Sequence, residues 1–261
     1  MSVIEAIVLG LIQGLTEFLP VSSSGHLEIG HALFGLDGGE NLKFDLLLHG
    51  ATVLSTIVVF WKDIIGLIAG IFKFRWDDNN KFVAKLIISA IPVAIAGFLF
   101  EEEIENMFSG NLIFIGAMLL ITAILLSIAN YAKKGVREIG FWDALLIGIA
   151  QMIAVTPGIS RSGATIATGM IIGNDKTNLA KFSFLMVIIP IVGANFLKIV
   201  SGDFSASSGS VGMIPMIAGF ITAFTVGLLA CKWMINIVRK GKLIYFAIYC
   251  AAIGLIAIFA A

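Results

Sequence analysis

Charge is what this chain has least of. Lys, Arg, Asp and Glu together make up 13% of its 261 residues, against 59% hydrophobic, and mean hydropathy is +1.02. A single soluble core cannot hide that much apolar surface, which excludes an ordinary soluble domain and predicts an all-α polytopic membrane protein. Cysteine is nearly absent. Cys231 and Cys250 lie in apolar segments without CxxC or Cys/His spacing, so they read as buried thiols rather than a disulfide framework or zinc site. Residues 1–19 lack a positively charged start and run into Pro20 and a serine cluster instead of a small-residue cleavage site. The segment is therefore expected to be retained rather than removed as a signal peptide. The zero formal net charge says nothing about partners.

Long apolar runs are what is present. A membrane span needs about 20 such residues, and six segments meet that length, at roughly 45–61, 82–100, 111–131, 180–200, 212–232 and 243–260. The stretches 2–34 and 141–172 differ. Each is broken near its middle, by Leu-Pro-Val-Ser-Ser-Ser-Gly and Thr-Pro-Gly-Ile-Ser-Arg-Ser-Gly, and each is too short for two full spans, which need about 40 residues. Both are expected to be re-entrant helical hairpins. Proline and glycine end the incoming helix, and the freed backbone groups are tolerable at membrane depth only when protein or a water-filled cavity surrounds them.

The two breaks repeat at an offset of 138 residues, which carries Gly10, Gln13, Val21, Ser22, Ser24 and Gly25 onto Gly148, Gln151, Ile159, Ser160, Ser162 and Gly163. Residues 1–131 then form a first repeat and 132–261 a second, each one hairpin plus three spans, within a single integral membrane domain. Three spans per repeat forces the second to enter from the opposite side, the inverted-topology plan in which paired broken helices meet near the midplane. Thirteen of the seventeen Lys and Arg fall in the connections 62–81, 132–142, 173–181 and 232–242, all on one side. That side is expected to be cytoplasmic, with both termini and the mouth of the first hairpin outside.

Serines and glycines at each restart suit helix N-caps. The free N–H groups and positive dipole end of such starts favour a group rich in oxygens, such as phosphate or diphosphate. Ser22, Ser24, Ser160, Ser162 and Thr165 are the candidate binding hydroxyls. Arg161, costing at least about 2.5 kcal/mol in a membrane interior, carries a guanidinium fork that matches phosphate oxygens. Glu17 follows Gln13 by four residues on one helical face. Their oxygens point to a divalent cation, Mg²⁺ or Ca²⁺, or Glu17 pairs with Arg161. His26, three residues after Ser23, is placed to exchange a proton with a hydroxyl, water or phosphate oxygen. His31 and His49 are expected in local hydrogen bonds only. Residues 201–210 read as a flexible outer loop and Asp77 to Asn80 as a cytoplasmic turn.

Gln13-Gly-Leu-Thr-Glu17-Phe-Leu-Pro-Val-Ser-Ser-Ser-Gly-His26, with Pro157-Gly-Ile-Ser-Arg-Ser-Gly-Ala-Thr165, resembles the two signature motifs of the undecaprenyl-diphosphate phosphatase family associated with bacitracin resistance. The resemblance covers the whole chain in length and span order. It departs at Gln13, where some relatives carry Glu. It implies a bacterial plasma-membrane enzyme that removes the terminal phosphate of undecaprenyl diphosphate, recycling the carrier lipid of cell-wall synthesis. On that reading Arg161 clamps phosphoryl oxygens with Ser160, Ser162 and Thr165. Glu17, with Gln13, holds the cation or orients a water, and Ser23 and His26 are the nucleophile and acid–base candidates. The partners expected are a polyprenyl diphosphate lipid, the membrane and a second copy in a homodimer, with no nucleic acid. The competing reading is an inverted-repeat transporter or flippase for a lipid phosphate or small anion.

Overall fold

The computed structural model describes residues 1–36, 42–73, 75–108, 110–133, 135–193, 211–240 and 242–261. The fold is all-α, with no strand among the described residues and one isolated bridge between Arg137 and Asn174. The helices are α1 (Val3–Thr16), α2 (Ser23–Phe34), α3 (Leu42–Val59), α4 (Trp61–Ile71), α5 (Asp78–Leu99), α6 (Glu101–Met107), α7 (Leu112–Tyr131), α8 (Phe141–Ile153), α9 (Arg161–Ile171), α10 (Lys176–Met186), α11 (Met213–Lys240) and α12 (Ile244–Phe259). Among the described residues, four helical stretches are long and apolar enough to cross a membrane on their own: α5, α7, Lys176–Gly193 and Met213–Val238. Their outer faces carry apolar rows at helical spacing, such as Ile87, Ile91 and Ile95 on α5 and Ile121, Ile124 and Ile128 on α7. Such continuous exposed apolar surface belongs against lipid.

Two expectations change. The connection 62–81 is not all loop, because the chain bends by 76° after α3 and continues as α4. Lys62 and Asp63 hide the signal, but Trp61, Ile65 and Ile68 recur at helical spacing and stay exposed. The expected span 243–260 is also shorter than anticipated. α12 has 16 residues, below the roughly 20 that cross the hydrocarbon core unaided. Residues 194–200 of the expected span 180–200, and the loop expected at 201–210, lie outside the described residues.

Both broken stretches fold back as hairpins, with α1 packed on α2 and α8 on α9. These helices have 14, 12, 13 and 11 residues, or no more than about 21 Å at 1.5 Å per residue. α1 starts in a capping box, in which Ser2 Oγ accepts from the Glu5 N–H at 3.3 Å and Glu5 Oε2 accepts from the Ser2 N–H at 2.7 Å.

Packing is reciprocal between the halves. α1 lies on α11 of the second half, and α8 lies on α5 of the first. Glycine permits both crossings. A Cβ at Gly10 would stand 2.6 Å from the Gly219 carbonyl oxygen, and one at the repeat-equivalent Gly148 would stand 2.5 Å from that of Ser89. α7 and α12 cross the same way at Gly116 and Gly254, a small-residue contact of the kind that brings membrane helices together. A large apolar cluster that includes Phe18, Phe182 and Phe184 packs beside the hairpin breaks. Phe18 meets Phe184 edge-on at 5.6 Å between centroids.

Candidate active site

The two breaks touch. A Cβ on Gly25 would lie 3.1 Å from Gly158 Cα, and one on Gly163 would lie 3.3 Å from Pro20 Cβ. Ser162 Oγ donates to the Leu19 carbonyl at 3.0 Å, binding the start of α9 to the first break. Each restart is serine-capped as its sequence implies: Ser22 Oγ accepts from the Gly25 N–H at 3.3 Å, and Ser160 Oγ from the Gly163 N–H at 3.0 Å. Ser22 has φ of 69°, a left-handed conformation that costs a serine energy and marks a tightly specified turn. Gly158 has φ of 94°, and a Cβ there would meet Met118 Cβ at 2.6 Å. Thr122 on α7 braces the second break, accepting from the Ser160 N–H at 3.0 Å and donating to the Gly158 carbonyl at 3.2 Å.

Glu17 stands at the centre. It lies just past the end of α1, and its Oε1 pairs with Arg161 Nη2 at the start of α9. Its Oε2 accepts from Ser23 Oγ at 2.7 Å and from Gln13 Nε2 at 3.0 Å. Gln13 is fully buried and also donates to Thr52 Oγ1 at 3.3 Å. Arg161 Nη1 donates to the Ser183 carbonyl at 3.3 Å, and Thr165 and Ser183 share a hydroxyl–hydroxyl bond of 2.7 Å. Glu17, Ser23, Gln13, Arg161 and Thr165 are thus gathered. Ser24 and Ser162 lie within 3.3 and 3.4 Å of the capping hydroxyls Ser22 and Ser160.

His26, expected to exchange a proton with a hydroxyl, water or phosphate oxygen, bonds groups other than Ser23 and Glu17. Its Nδ1 bonds the Ser22 carbonyl at 2.7 Å and its Nε2 the Tyr249 hydroxyl at 2.9 Å, and its ring stacks on that of Tyr249 with 6° between planes. Both nitrogens are engaged away from Glu17. His31 reaches beyond its own helix, with Nε2 on α2 3.0 Å from Asp45 Oδ1 on α3. His49 has more than a local role. Its Nδ1 bonds the Asp45 carbonyl at 2.8 Å, while its Nε2 lies 3.7 Å from Glu17 Oε2. Thr52, Thr122, Ser183 and Tyr249 were also missed. A signal existed for the first: Asp45, His49, Thr52 and Thr56 form a polar row at helical spacing on the largely apolar α3.

The donors do not suit the divalent cation expected at Gln13 and Glu17. Both Glu17 oxygens already accept from protein groups, leaving Gln13 Oε1 as the free buried acceptor beside them. No three His, Cys, Asp or Glu side chains gather as a metal site among the described residues. A cavity of about 150 Å³, lined by Ser24, Glu28, Asp45 and His49, adjoins the centre. The larger groove of about 860 Å³, near Lys133 and Gly173, is remote from Glu17.

Residues 6–256 match the model of the family described as bacitracin resistance protein BacA. The chain is 54% identical over 258 residues, covering 97% of it and 96% of the relative, to an undecaprenyl-diphosphatase of Bacteroides fragilis. It is 53% identical to one from Parabacteroides distasonis, over 99% of this chain and 98% of that one. With one from Methanosphaera stadtmanae it shares 38% identity, over 99% and 98% of the two chains. The chain, a multi-pass membrane protein, belongs to the BacA bacitracin resistance family.

Proposed function

We propose that this protein hydrolyses undecaprenyl diphosphate to undecaprenyl phosphate and inorganic phosphate, recycling the carrier lipid and so conferring bacitracin resistance. The observation that carries the reading is the meeting of Arg161, Glu17 and Ser23 where two helix restarts face one another. The names of the relatives supply the substrate. The diphosphate head enters between the restarts while its polyprenyl tail stays in the bilayer, and the N–H groups of α2 and α9 face its oxygens. Arg161 grips the phosphoryl oxygens as charge builds on them, helped by Ser160, Ser162 and Thr165. Glu17, positioned by Gln13, orients the Ser23 hydroxyl, which attacks the terminal phosphorus in line with the bond to the departing lipid monophosphate. A divalent cation enters this reading only as the counter-ion of the diphosphate itself. His26 and Tyr249 stand at the edge of the first restart, where they hold its backbone.

The reciprocal packing of α1 on α11 and α8 on α5 supports dividing the chain into inverted repeats at 131/132. In this arrangement both termini and the mouth of the site face outward from a bacterial plasma membrane. The same plan suits a transporter. Purified protein in detergent, where no compartments exist, separates the two: an enzyme releases one phosphate per lipid diphosphate consumed, and a carrier releases none.

A further inference from the structure

His49 has no part in the roles above, yet it touches their central residue. We infer that His49 is a further catalytic residue of the site, the base that takes the proton from the attacking oxygen. Its Nδ1 is 2.8 Å from a backbone carbonyl, that of Asp45. A carbonyl only accepts, so Nδ1 carries the hydrogen, and the neutral ring presents an Nε2 lone pair on its other side. That lone pair lies 3.7 Å from Glu17 Oε2, the oxygen that already holds the Ser23 hydroxyl at 2.7 Å. A proton that arrives on Nε2 is then held between the ring and the Glu17 carboxylate. That proton is what transfer from the nucleophile supplies.

The competing bases are committed. Adding a proton to Glu17 would break its pair with Arg161, and His26 spends both nitrogens on Ser22 and Tyr249. His49 is also reachable, since its side chain is 28% exposed and lines the cavity shared with Ser24 and Asp45. The charged and titratable groups around it are Glu17 past α1, Glu28 and His31 on α2, and Asp45 on α3.

The steps balance. As Ser23 Oγ bonds to the terminal phosphorus and the bridging P–O bond breaks toward the lipid monophosphate, the hydroxyl proton moves to His49 Nε2. Water then bonds to the phosphorus of the seryl phosphate, the Oγ–P bond breaks, and the imidazolium returns its proton to Oγ. Both protons of the water leave with inorganic phosphate.

This inference rests on the phosphatase reading, and the test separates the two. Wild type, His49→Ala and His49→Gln are purified in detergent and assayed on undecaprenyl diphosphate, with and without imidazoles of graded basicity. Turnover of His49→Ala is expected to fall by about a hundredfold or more, with KM within about threefold, and to recover with added imidazole in proportion to its basicity. His49→Gln keeps a donor for the Asp45 carbonyl and fills the site. It is expected to stay folded, stay slow and resist rescue. Wild-type protein releasing no phosphate overturns the phosphatase reading. With wild type active, the His49 assignment fails if either variant keeps near-normal turnover. It fails equally if His49→Ala is folded but no imidazole restores it. Should His49→Ala not fold, the turnover of His49→Gln decides alone.

Discussion

Arg161 and Glu17, 144 residues apart in sequence, are joined as an ion pair through Nη2 and Oε1 at the contact between the two helix breaks. Their side chains are 15% and 9% exposed, so each charge depends on the other. Neither half of the sequence builds the site alone: the N-terminal half supplies the carboxylate and hydroxyl, and the C-terminal half the fixed cation.

Removing one partner leaves a buried charge uncompensated, at a cost of about 3–5 kcal/mol. Glu17→Gln is therefore expected to lower the thermal unfolding temperature in detergent as well as phosphate release. The double variant Glu17→Gln/Arg161→Met should recover most of the stability and none of the activity. A double variant as unstable as the single one would mean that the pair contributes nothing to folding.

The α7–α12 crossing gives a prediction away from the chemistry. Gly254→Ala places a Cβ 2.8 Å from the Gly116 carbonyl oxygen, and overpacking of this kind costs about 1–3 kcal/mol. Gly97→Ala, on the open face of α5 with nothing within 4 Å, is expected to be neutral or slightly stabilising. Thermal unfolding of the two variants side by side checks the contrast.

Much of this arrangement was legible because membrane constraints are blunt. An apolar stretch too short to cross twice, carrying Pro20 or Pro157 at its centre, has to turn back. The 138-residue repeat then pairs the two turns before any coordinates exist. What stayed hidden depended on three-dimensional neighbours. The α3–α4 bend follows Phe60, whose backbone leaves helical geometry with ψ of 18°, and no proline or glycine announces it. The place of His26 depends on Tyr249, 223 residues away. His49 looked local because its bond to Asp45 is local, while its second nitrogen reaches a residue on another element.

Orientation is open to a labelling test. Thirteen Lys and Arg lie in the four connections read as cytoplasmic, while the acidic α6 lies at the opposite end of α7. In a background with Cys231 and Cys250 replaced by alanine, a cysteine at Glu102 should label from outside the cell and one at Lys133 only after the membrane is opened. The reverse pattern would invert the topology and put the mouth of the site on the cytoplasmic face.

The most direct measurement of the central claim is the turnover of Arg161→Lys on undecaprenyl diphosphate beside wild type. Lysine keeps the charge but loses the planar fork that grips two phosphoryl oxygens, and only contacts that strengthen as charge redistributes lower the barrier. Losing one such contact costs about 3 kcal/mol, on the order of a hundredfold in rate. The account predicts a folded, membrane-inserted protein with kcat reduced on that scale. Near-normal turnover would show that Arg161 does no more than balance the charge of Glu17, and would remove the phosphate clamp from the site described here.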